Sequence, residues 1–515
     1  MDFGNAVPPN KILSPLKHLA EIGESDVGRM VKLRVWLQRC RVVQQGSESF
    51  KVAFVELREE RDWTILGIVD ETAPAAGVSI NTVSKGVIRW VRNLPLESFM
   101  VVEGAIIKRA SGEPVIENHC LITDYAIHIV RMYCEAPAAN KLTLSLDNAS
   151  SNALSGQMIE DTRSPTLQFI RYVGPSRSLA THFDNMVLHK RAPVTQAIAD
   201  IRMMTRRIFC EYLDDRVFTQ FEAPCLVPSV WGTDARSKVF SLRYFGETAF
   251  LATTAQLYKQ LEIAGGRKKV YCIGPAFRAD RANMDKYLTE FTSLDVETEI
   301  ENDYTEVMLL LESLLLHIFQ QLKKRCQHQI NLIAGVYPSS ELLLPDHGKE
   351  VRLTFPEARE LLREHASPDL MLCDTTFINA AQAALLGAVV REKYATDFFT
   401  VHKFPSSDRP FFVMEDSDNP ELSNSFTFYL RGQDVGSGGQ HIHIPGVLER
   451  RIQNSSYPNM STPGIGKYVD IFSSGGVSPH GGGTFGLDRL VAWYLGLPTV
   501  QLAACYPRTK MRLTP

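Results

Sequence analysis

Apolar and polar positions alternate with a period of two from residue 30 to about residue 130. VKLRVWLQ (31–38), FKVAFVELRE (50–59), TILGIVD (64–70), FMVVEGAIIKR (99–109) and YAIHIVRM (125–132) carry the pattern. Alternation of this kind puts successive side chains on opposite faces, as a half-buried strand requires. One stretch between the third and fourth strands, NTVSKGVIRWVRNL (81–94), has helical spacing instead. The period then disappears: residues 135–185 are rich in Ala, Ser, Asn and Pro and read as a hinge.

Beyond the hinge the periods mix. VTQAIADIRMMTRRIFCEYL (194–213) spaces Ile198, Ile201, Met204, Ile208 and Leu213 along one helical face. FEAPCLVPSV (221–230) is extended and broken by Pro224 and Pro228. FSLRYFGETAFLATT (240–254) predicts a hairpin turning at Phe245-Gly246, and AQLYKQLEIAG begins a helix. Residues 304–327 predict a long helix whose stripe through Val307, Leu311, Leu314 and Phe319 is core. Residues 353–404 read as two or three helices joined by loops, and residues 410–443 read as strands. Near the end, HGGGTFGLDRLVAWYLGL (480–497) runs from a glycine-rich segment into an apolar helix. Glycines there admit a nucleotide beside the helix N-terminus, with Arg489 placed to meet phosphate, although glycines before a helix usually make only a tight turn.

Five strands with a helix between the third and fourth give the order of an OB-type barrel, a common binder of single-stranded nucleic acid. Any small β-barrel has the same pattern. The chain thus divides into a lead-in (1–28), a barrel (29–134), the hinge (135–185) and an α+β domain (186–515) with helices around 350–400. Residues 270–299 carry the chemistry that organises that last domain. They predict strand, polar turn, strand, with Arg278 on one edge and Phe291 opposite. A guanidinium can fork onto phosphate or carboxylate oxygens and a ring can stack on a base, which suits a nucleotide. An ordinary hairpin with surface charges fits the same residues.

Composition narrows this little. At 44% hydrophobic and 22% charged residues the chain is globular. Its net charge of −3 supplies no overall basic field, so nucleic acid would have to bind through local patches. The nine cysteines, scattered from Cys40 to Cys505, show no metal-ligand spacing and predict free thiols. No apolar run reaches membrane-spanning length, and residues 1–28 resemble neither a signal peptide nor an Arg-rich presequence, so a cytoplasmic location is expected.

FRAD–x8–TEF (277–291), GLDR (486–489) and Pro224 in an extended segment after a helix resemble the three signature motifs of class II aminoacyl-tRNA synthetases. Barrel, hinge and catalytic domain follow the order of the aspartyl/asparaginyl/lysyl subgroup. YFGETAFLATTAQLYKQ (244–260), RPFFVMEDSDNPELSNSF (409–426), RGQDVGSGGQHIH (431–443) and YPRTKMRLTP (506–515) are similar to segments of its eukaryotic and archaeal aspartyl members, in the same order. The resemblance covers nearly everything from residue 28.

The resemblance implies a six- or seven-stranded antiparallel sheet flanked by helices, dimerised around Pro224. It also implies ATP and Mg2+, and attack of aspartate on the α-phosphate followed by transfer to the 3′ end of tRNA, tRNA(Asp) in this subgroup. By the same resemblance Arg278 and Arg489 are catalytic, and Asp280, Tyr287, Leu288, Phe291, Asp434 and Gly486 join them in binding ATP. Asp434 and Ser437 are the metal ligands. Asp234, Gln256, Lys259, Asp295, Ser437 and His441, again with Arg278, bind the amino acid, and Phe54 stacks on an anticodon base.

Several positions depart from that pattern. The arginine that forks onto the aspartate carboxylate is His441, whose imidazole offers one donor and partial charge at best. Gln-Ser-Pro-Gln becomes Thr253-Thr254-Ala255-Gln256, and the Gly-Gly of a mobile loop becomes Ala235-Arg236. Arg-His becomes Lys286-Tyr287, two glutamates shorten to Asp280 and Asp434, and a glycine becomes Thr484. In the barrel the base-reading glutamine is Leu66, and the polybasic amino-terminal extension of many eukaryotic members is missing. Two alternatives stay open beside the ligase: an altered paralogue acting as a dimeric binding protein, and an asparagine-forming enzyme on the same scaffold.

Overall fold

The computed structural model describes residues 3–5, 14–45, 50–60, 63–71, 86–109, 120–153, 158–160, 170–172, 177–229, 239–279, 286–365, 377–454 and 464–514. They form two compact units, Met1–Ser150 with Asn185–Pro193, and Ser151–Asp184 with Val194–Pro515.

The first unit is a closed barrel. Its strands are β1 (Met30–Gln45), β2 (Phe50–Arg58), β3 (Thr64–Asp70), β4 (Phe99–Lys108) and β5 (Tyr125–Ala136), with helix α1 (Val87–Arg92) between β3 and β4. β1 pairs with β2, β2 with β3, β3 with β5, β5 with β4, and β4 back with β1. These pairs are antiparallel except β3–β5, and a two-residue strand, Phe3–Gly4, adds a second parallel pairing on β5. Every strand predicted from alternation is present, and each sends its apolar set inward: Leu33, Val35, Val55, Leu57, Ile65, Val102 and Ile127 are all core residues. Val87, Ile88 and Val91 of α1 join them. Closure leaves none of the five strands with a free edge.

The segment 135–185 holds a short helix, Leu146–Ala149, a two-stranded pairing of Met158–Glu160 with Ile170–Tyr172, and a helix at Arg177–Asp184.

In the second unit the first long helix is α2 (Pro193–Asp214), which buries Ile198, Ile201, Ile208 and Leu213 of the predicted stripe and leaves Met204 half-buried. The predicted hairpin turns at Phe245 (φ 44°) and Gly246 (φ 96°). Two successive residues at positive φ make the tight turn whose twist matches paired strands. The next elements are α3 (Gln256–Ala264), β6 (Lys269–Phe277), β7 (Glu290–Glu299), α4 (Thr305–Arg325), β8 (Val351–Thr354), β9 (Phe398–His402), β10 (Ser425–Leu430), β11 (Gln433–His441), β12 (His480–Gly486) and α5 (Leu487–Leu495). The sheet runs β8-β9-β10-β11-β12-β7-β6, with the two-residue strand Thr219–Gln220 at its far edge.

That makes eight strands, against six or seven in the expectation. Six central strands, β9 to β6, are antiparallel, and each edge adds a short parallel strand, β8 on β9 and Thr219–Gln220 on β6. Strands of two and four residues leave no readable alternation, which is why the pattern misses them. The parallel β8–β9 pair also accounts for the helices around 350–400. A parallel pair needs a long crossover, and helices Phe355–His365 and Ala380–Tyr394 form it, packing Leu362, Leu386 and Val390 against Phe399 and Val401.

A second correction concerns residues 480–486. The glycine-rich run is a central, buried strand and not the turn that glycines before a helix suggest. β12 lies between β11 and β7 so closely that a Cβ on Gly482 would sit 2.0 Å from the Val296 carbonyl oxygen and 2.3 Å from Glu297 Oε2, and one on Gly438 would sit 2.2 Å from the Gly482 carbonyl. Backbone cannot yield as a flexible side chain can. Gly482→Ala is expected to cost about 1–3 kcal/mol or more by overpacking. Gly274→Ala, where nothing lies within 4 Å, serves as the comparison, and urea unfolding of both variants checks the difference. The opposite face of the sheet is sealed by α4, whose Val307, Leu311, Leu314 and Phe319 are fully buried. Each such side chain contributes about 1.5–3 kcal/mol.

Candidate active site

Strand pairing collects the polar groups onto one face of the sheet. On β7 the face carries Phe291, Ser293, Asp295 and Glu297, every second residue. Ser293 pairs with Gly486, Asp295 with Thr484, and Glu297 with Gly482 on β12. Ser437 in turn pairs with Thr484, Gly439 with Gly482, and His441 with His480. Arg278 follows β6, where Ala276 is the partner of Phe291, and its guanidinium lies 5.3 Å from the centre of the Phe291 ring.

Asp434 and Ser437 are three residues apart, a spacing that places two side chains on opposite faces of a regular strand. A bulge brings them together: Asp434 is opposite Tyr429 and Gly436 is opposite Phe428, so Val435 is the extra residue. Both side chains therefore line the same cavity.

Two cavities share this face. One, of about 360 Å³, is lined by Tyr287, Leu288, Asp434, Gly486 and Arg489. The other, of about 330 Å³, is lined by Thr253, Gln256, Lys259, Gly482 and His441. Arg278, Phe291, Asp408, Arg409, Ser437 and Thr484 belong to both walls. The first carries cations at its rim: Arg489 bonds Asp434 through Nη1, Lys286 Nζ is 3.6 Å from Asp434 Oδ1, and both cations lie 5.6 Å from the centre of the Tyr287 ring. Asp434 is 41% exposed, so these pairs add little stability, on the order of 1 kcal/mol or less. Their value is placement.

The second cavity has a charged floor. Helix α3 turns Gln256, Lys259 and Gln260, spaced i, i+3, i+4, toward the sheet, and all three are buried. Lys259 Nζ stands 3.6 Å from Asp295 Oδ1 and 3.3 Å from Glu297 Oε2. Asp295 also accepts from Ser293 Oγ at 2.5 Å and from Thr484 Oγ1 at 2.6 Å. His441 Nδ1 is 2.5 Å from Glu297 Oε1, with the Gln256 amide 3.1 Å away. Burial pushes the Glu297 carboxyl up, but His441 and Lys259 outweigh it and hold it below the ordinary carboxylate range. Burial drives His480 the other way, down to about 4.

Of the residues predicted from sequence, Arg278, Tyr287, Leu288, Phe291, Asp434, Ser437, Gly486 and Arg489 line the first cavity, and Gln256, Lys259 and His441 line the second. Asp295 lies beneath Lys259. Asp234 and Asp280 fall outside the described residues, as do Ala235 and Arg236. Phe54 belongs to the barrel unit, half-buried on β2 beside a small apolar group with Leu66, Cys120 and Ala126. The structure adds Glu297, His480, Asp408 and Arg409. For Glu297 the signal was available, since it follows Asp295 by two on a strand. Nothing in the local pattern marks Arg409, which is half-buried with its guanidinium 3.7 Å from the Phe404 ring centre.

The carboxylate of Asp434 and the hydroxyl of Ser437, on one face at the cavity rim, are hard oxygen donors of the kind Mg2+ takes.

Eight strands with an antiparallel centre, and a paired-cavity face with an arginine at the junction, define a class. Residues 178–510 match the family model of the tRNA synthetases class II (D, K and N). The chain belongs to that family. Within it, the chain is 31% identical over 507 residues to the cytoplasmic aspartate–tRNA ligase of Mus musculus, covering 98% of this chain and 92% of that protein. It is 32% identical over 501 residues to aspartate–tRNA ligase 1, cytoplasmic, of Arabidopsis thaliana, covering 97% and 86%. The solved aspartyl-tRNA synthetase from Entamoeba histolytica aligns with a TM-score of 0.80 at 27% identity, over 100% of this chain and 97% of that one. Among the described residues no helix is long and apolar enough to cross a membrane.

Proposed function

We propose that the protein is an aspartate–tRNA ligase, activating aspartate with ATP and passing the acyl group to tRNA(Asp). The observation that carries this reading is Arg278 on the wall common to the two cavities. A group there faces both the α-phosphate of a nucleotide in the first cavity and the carboxylate of an amino acid in the second. Its fork suits both anions at once.

The reaction asks for placement and positive charge, with no covalent work by the protein. A carboxylate oxygen of aspartate attacks the α-phosphorus, the bond to the β,γ-diphosphate breaks, and pyrophosphate leaves. Arg278 takes the charge that grows on the α-phosphate oxygens, and Phe291, under its guanidinium, offers the stacking surface for adenine. Arg489 and Lys286 stand at the far rim, where the terminal phosphates of a bent ATP would lie. Mg2+ held by Asp434 and Ser437 would neutralise phosphate charge there. In the other cavity Lys259 and His441 meet the side-chain carboxylate, with Gln256 beside them; Asp295, which the resemblance gives to the ammonium group, lies beneath Lys259 and lines neither cavity. The 3′-terminal adenosine of tRNA then accepts the acyl group and AMP leaves.

The barrel supports a reading as an OB-type anticodon-binding domain, with Phe54 as a stacking ring. Its pairing order, with the parallel β3–β5 closure and a helix between β3 and β4, is the basis. A homodimer through the region of Pro224 is supported by exposed Leu226, Phe240, Tyr244 and Phe245 around it. A cytoplasmic setting follows that of the relatives.

ATP–pyrophosphate exchange with aspartate and with asparagine, followed by charging of tRNA, tests the reading. Exchange with aspartate and charging are expected. No exchange with any amino acid would leave the binding-protein alternative, and exchange without charging would favour the asparagine-forming one.

A further inference from the structure

Glu297, His441 and His480 come from three adjacent strands, β7, β11 and β12, and all are buried. One donor atom of each lies within 4.8 Å of the others. Glu297 Oε1 is the middle of the set, 2.5 Å from His441 Nδ1 and 4.0 Å from His480 Nε2. The tautomer of His480 is fixed from behind. Its Nδ1 is 2.8 Å from the Ser478 carbonyl oxygen, to which it donates. Tyr468 donates to Gln260 Oε1 at 2.6 Å, which turns the Gln260 amide N–H toward His480 Nε2, 3.0 Å away. His480 Nε2 is therefore the unprotonated ring nitrogen, and its lone pair, which accepts from Gln260, is the one a metal would take. A carbonyl behind one ring nitrogen, freeing the other, is how proteins orient a metal-binding histidine.

Charge points the same way. Asp295, Glu297 and Lys259 are almost completely buried together, so two carboxylates face one permanent positive charge, with the His441 imidazole as the remaining partner of Glu297. A buried charge without its complement is costly. The family pattern places an arginine at position 441, and histidine there removes a permanent positive charge from this pocket.

We propose that Glu297, His441 and His480 bind a divalent transition metal, by its donor set zinc, whose open fourth position takes the side-chain carboxylate of the amino acid. Two imidazoles and one carboxylate with a free position make a known catalytic zinc set, with bonds of about 2.0–2.2 Å. Tetrahedral geometry at those lengths spaces donors by roughly 3.3 Å, between the two separations to Glu297 Oε1 seen here. Nitrogen donors also separate this site from the all-oxygen pair Asp434 and Ser437. The metal turns a floor with one surplus negative charge into one with a surplus positive charge, as reading a carboxylate requires. His441 lines the cavity, and bare backbone at Gly482 and Gly483 leaves the wall beside it open. The ligand assignment rests on the aspartate reading. The metal rests on the three donors alone.

The test is metal content and cobalt spectroscopy of the full chain, purified, stripped with a chelator and reloaded with Zn2+ or Co2+. About one equivalent per chain is expected, with the visible absorption of four-coordinate Co2+, and aspartate is expected to perturb that spectrum. His441→Arg, which restores the family's residue, and His480→Gln should both lose the bound equivalent, with folding checked by circular dichroism. Gln260→Ala, which removes the N–H that competes for the His480 Nε2 lone pair, should bind at least as tightly as the wild type. Absence of stoichiometric metal from the wild type, or its retention in His441→Arg, overturns the site. A spectrum indifferent to aspartate overturns the open position. Failure of pyrophosphate exchange would overturn the ligase reading while leaving the metal count unaffected.

Discussion

Arg278→Ala is expected to lower aspartate-dependent ATP–pyrophosphate exchange by about 10²–10³-fold, the usual effect of removing one preorganised donor from developing charge. The argument rests on position. Arg278 is on the wall of both cavities, over the Phe291 ring, whereas Arg409, the other arginine on both walls, is stacked on Phe404. The loss should fall on kcat more than on KM for ATP, because the charge it answers grows only in the transition state. Arg278→Lys keeps the charge and loses the planar fork, and should recover a minor part of the rate. Steady-state exchange kinetics on the two variants decide the matter. A rate near wild type in Arg278→Ala would remove this residue from the chemistry.

Lys259→Met is expected to cost about 3–5 kcal/mol of stability, the usual result of deleting one partner of a buried ion pair. Asp295 and Glu297 are both fully buried beneath Lys259, and without its ammonium Asp295 keeps only hydroxyl donors and Glu297 only the His441 imidazole. Glu297→Gln added to Lys259→Met should return much of the loss, since it removes the charge left stranded. A double-mutant cycle in urea measures that coupling. Additive single effects would show that Lys259 is held by its carbonyl contacts to Val296 and Gly483, each 3.4 Å away, and not by charge.

Much of the architecture could be read from the chain alone, and for identifiable reasons. The barrel strands are legible because alternate residues of each meet a single core, although Leu66, Ala126, Ile68 and Ile107 form a second apolar group. Helices α2 and α4 declare their stripes over 20 residues or more. Two kinds of feature resisted. Edge strands of two to four residues carry too few positions to show a period. The glycine strand 480–486 was hidden because glycine's local preference is for turns, while the force acting on it is the approach of backbone on both sides, which no local pattern records. The site divides similarly. Arg278, Phe291, Lys259, Asp434 and Ser437 were found through motif resemblance, and pairing register then brought them onto one face. Glu297 and His480 join that face only when register is known, although counting by two from Asp295 reaches Glu297. Arg409 is beyond any such count.

The bulge at Val435 has a consequence for redesign. Along β11 it acts as a phase shifter: Asp434, ahead of it, addresses the nucleotide, while His441, behind it, addresses the amino acid. Because the shift is absorbed in one residue, substitutions at the amino-acid end need not disturb the nucleotide end. Deleting that residue would do the opposite. It would invert the parity of everything upstream and turn Asp434 away from Arg489, separating two halves of a site that a single extra residue holds in step.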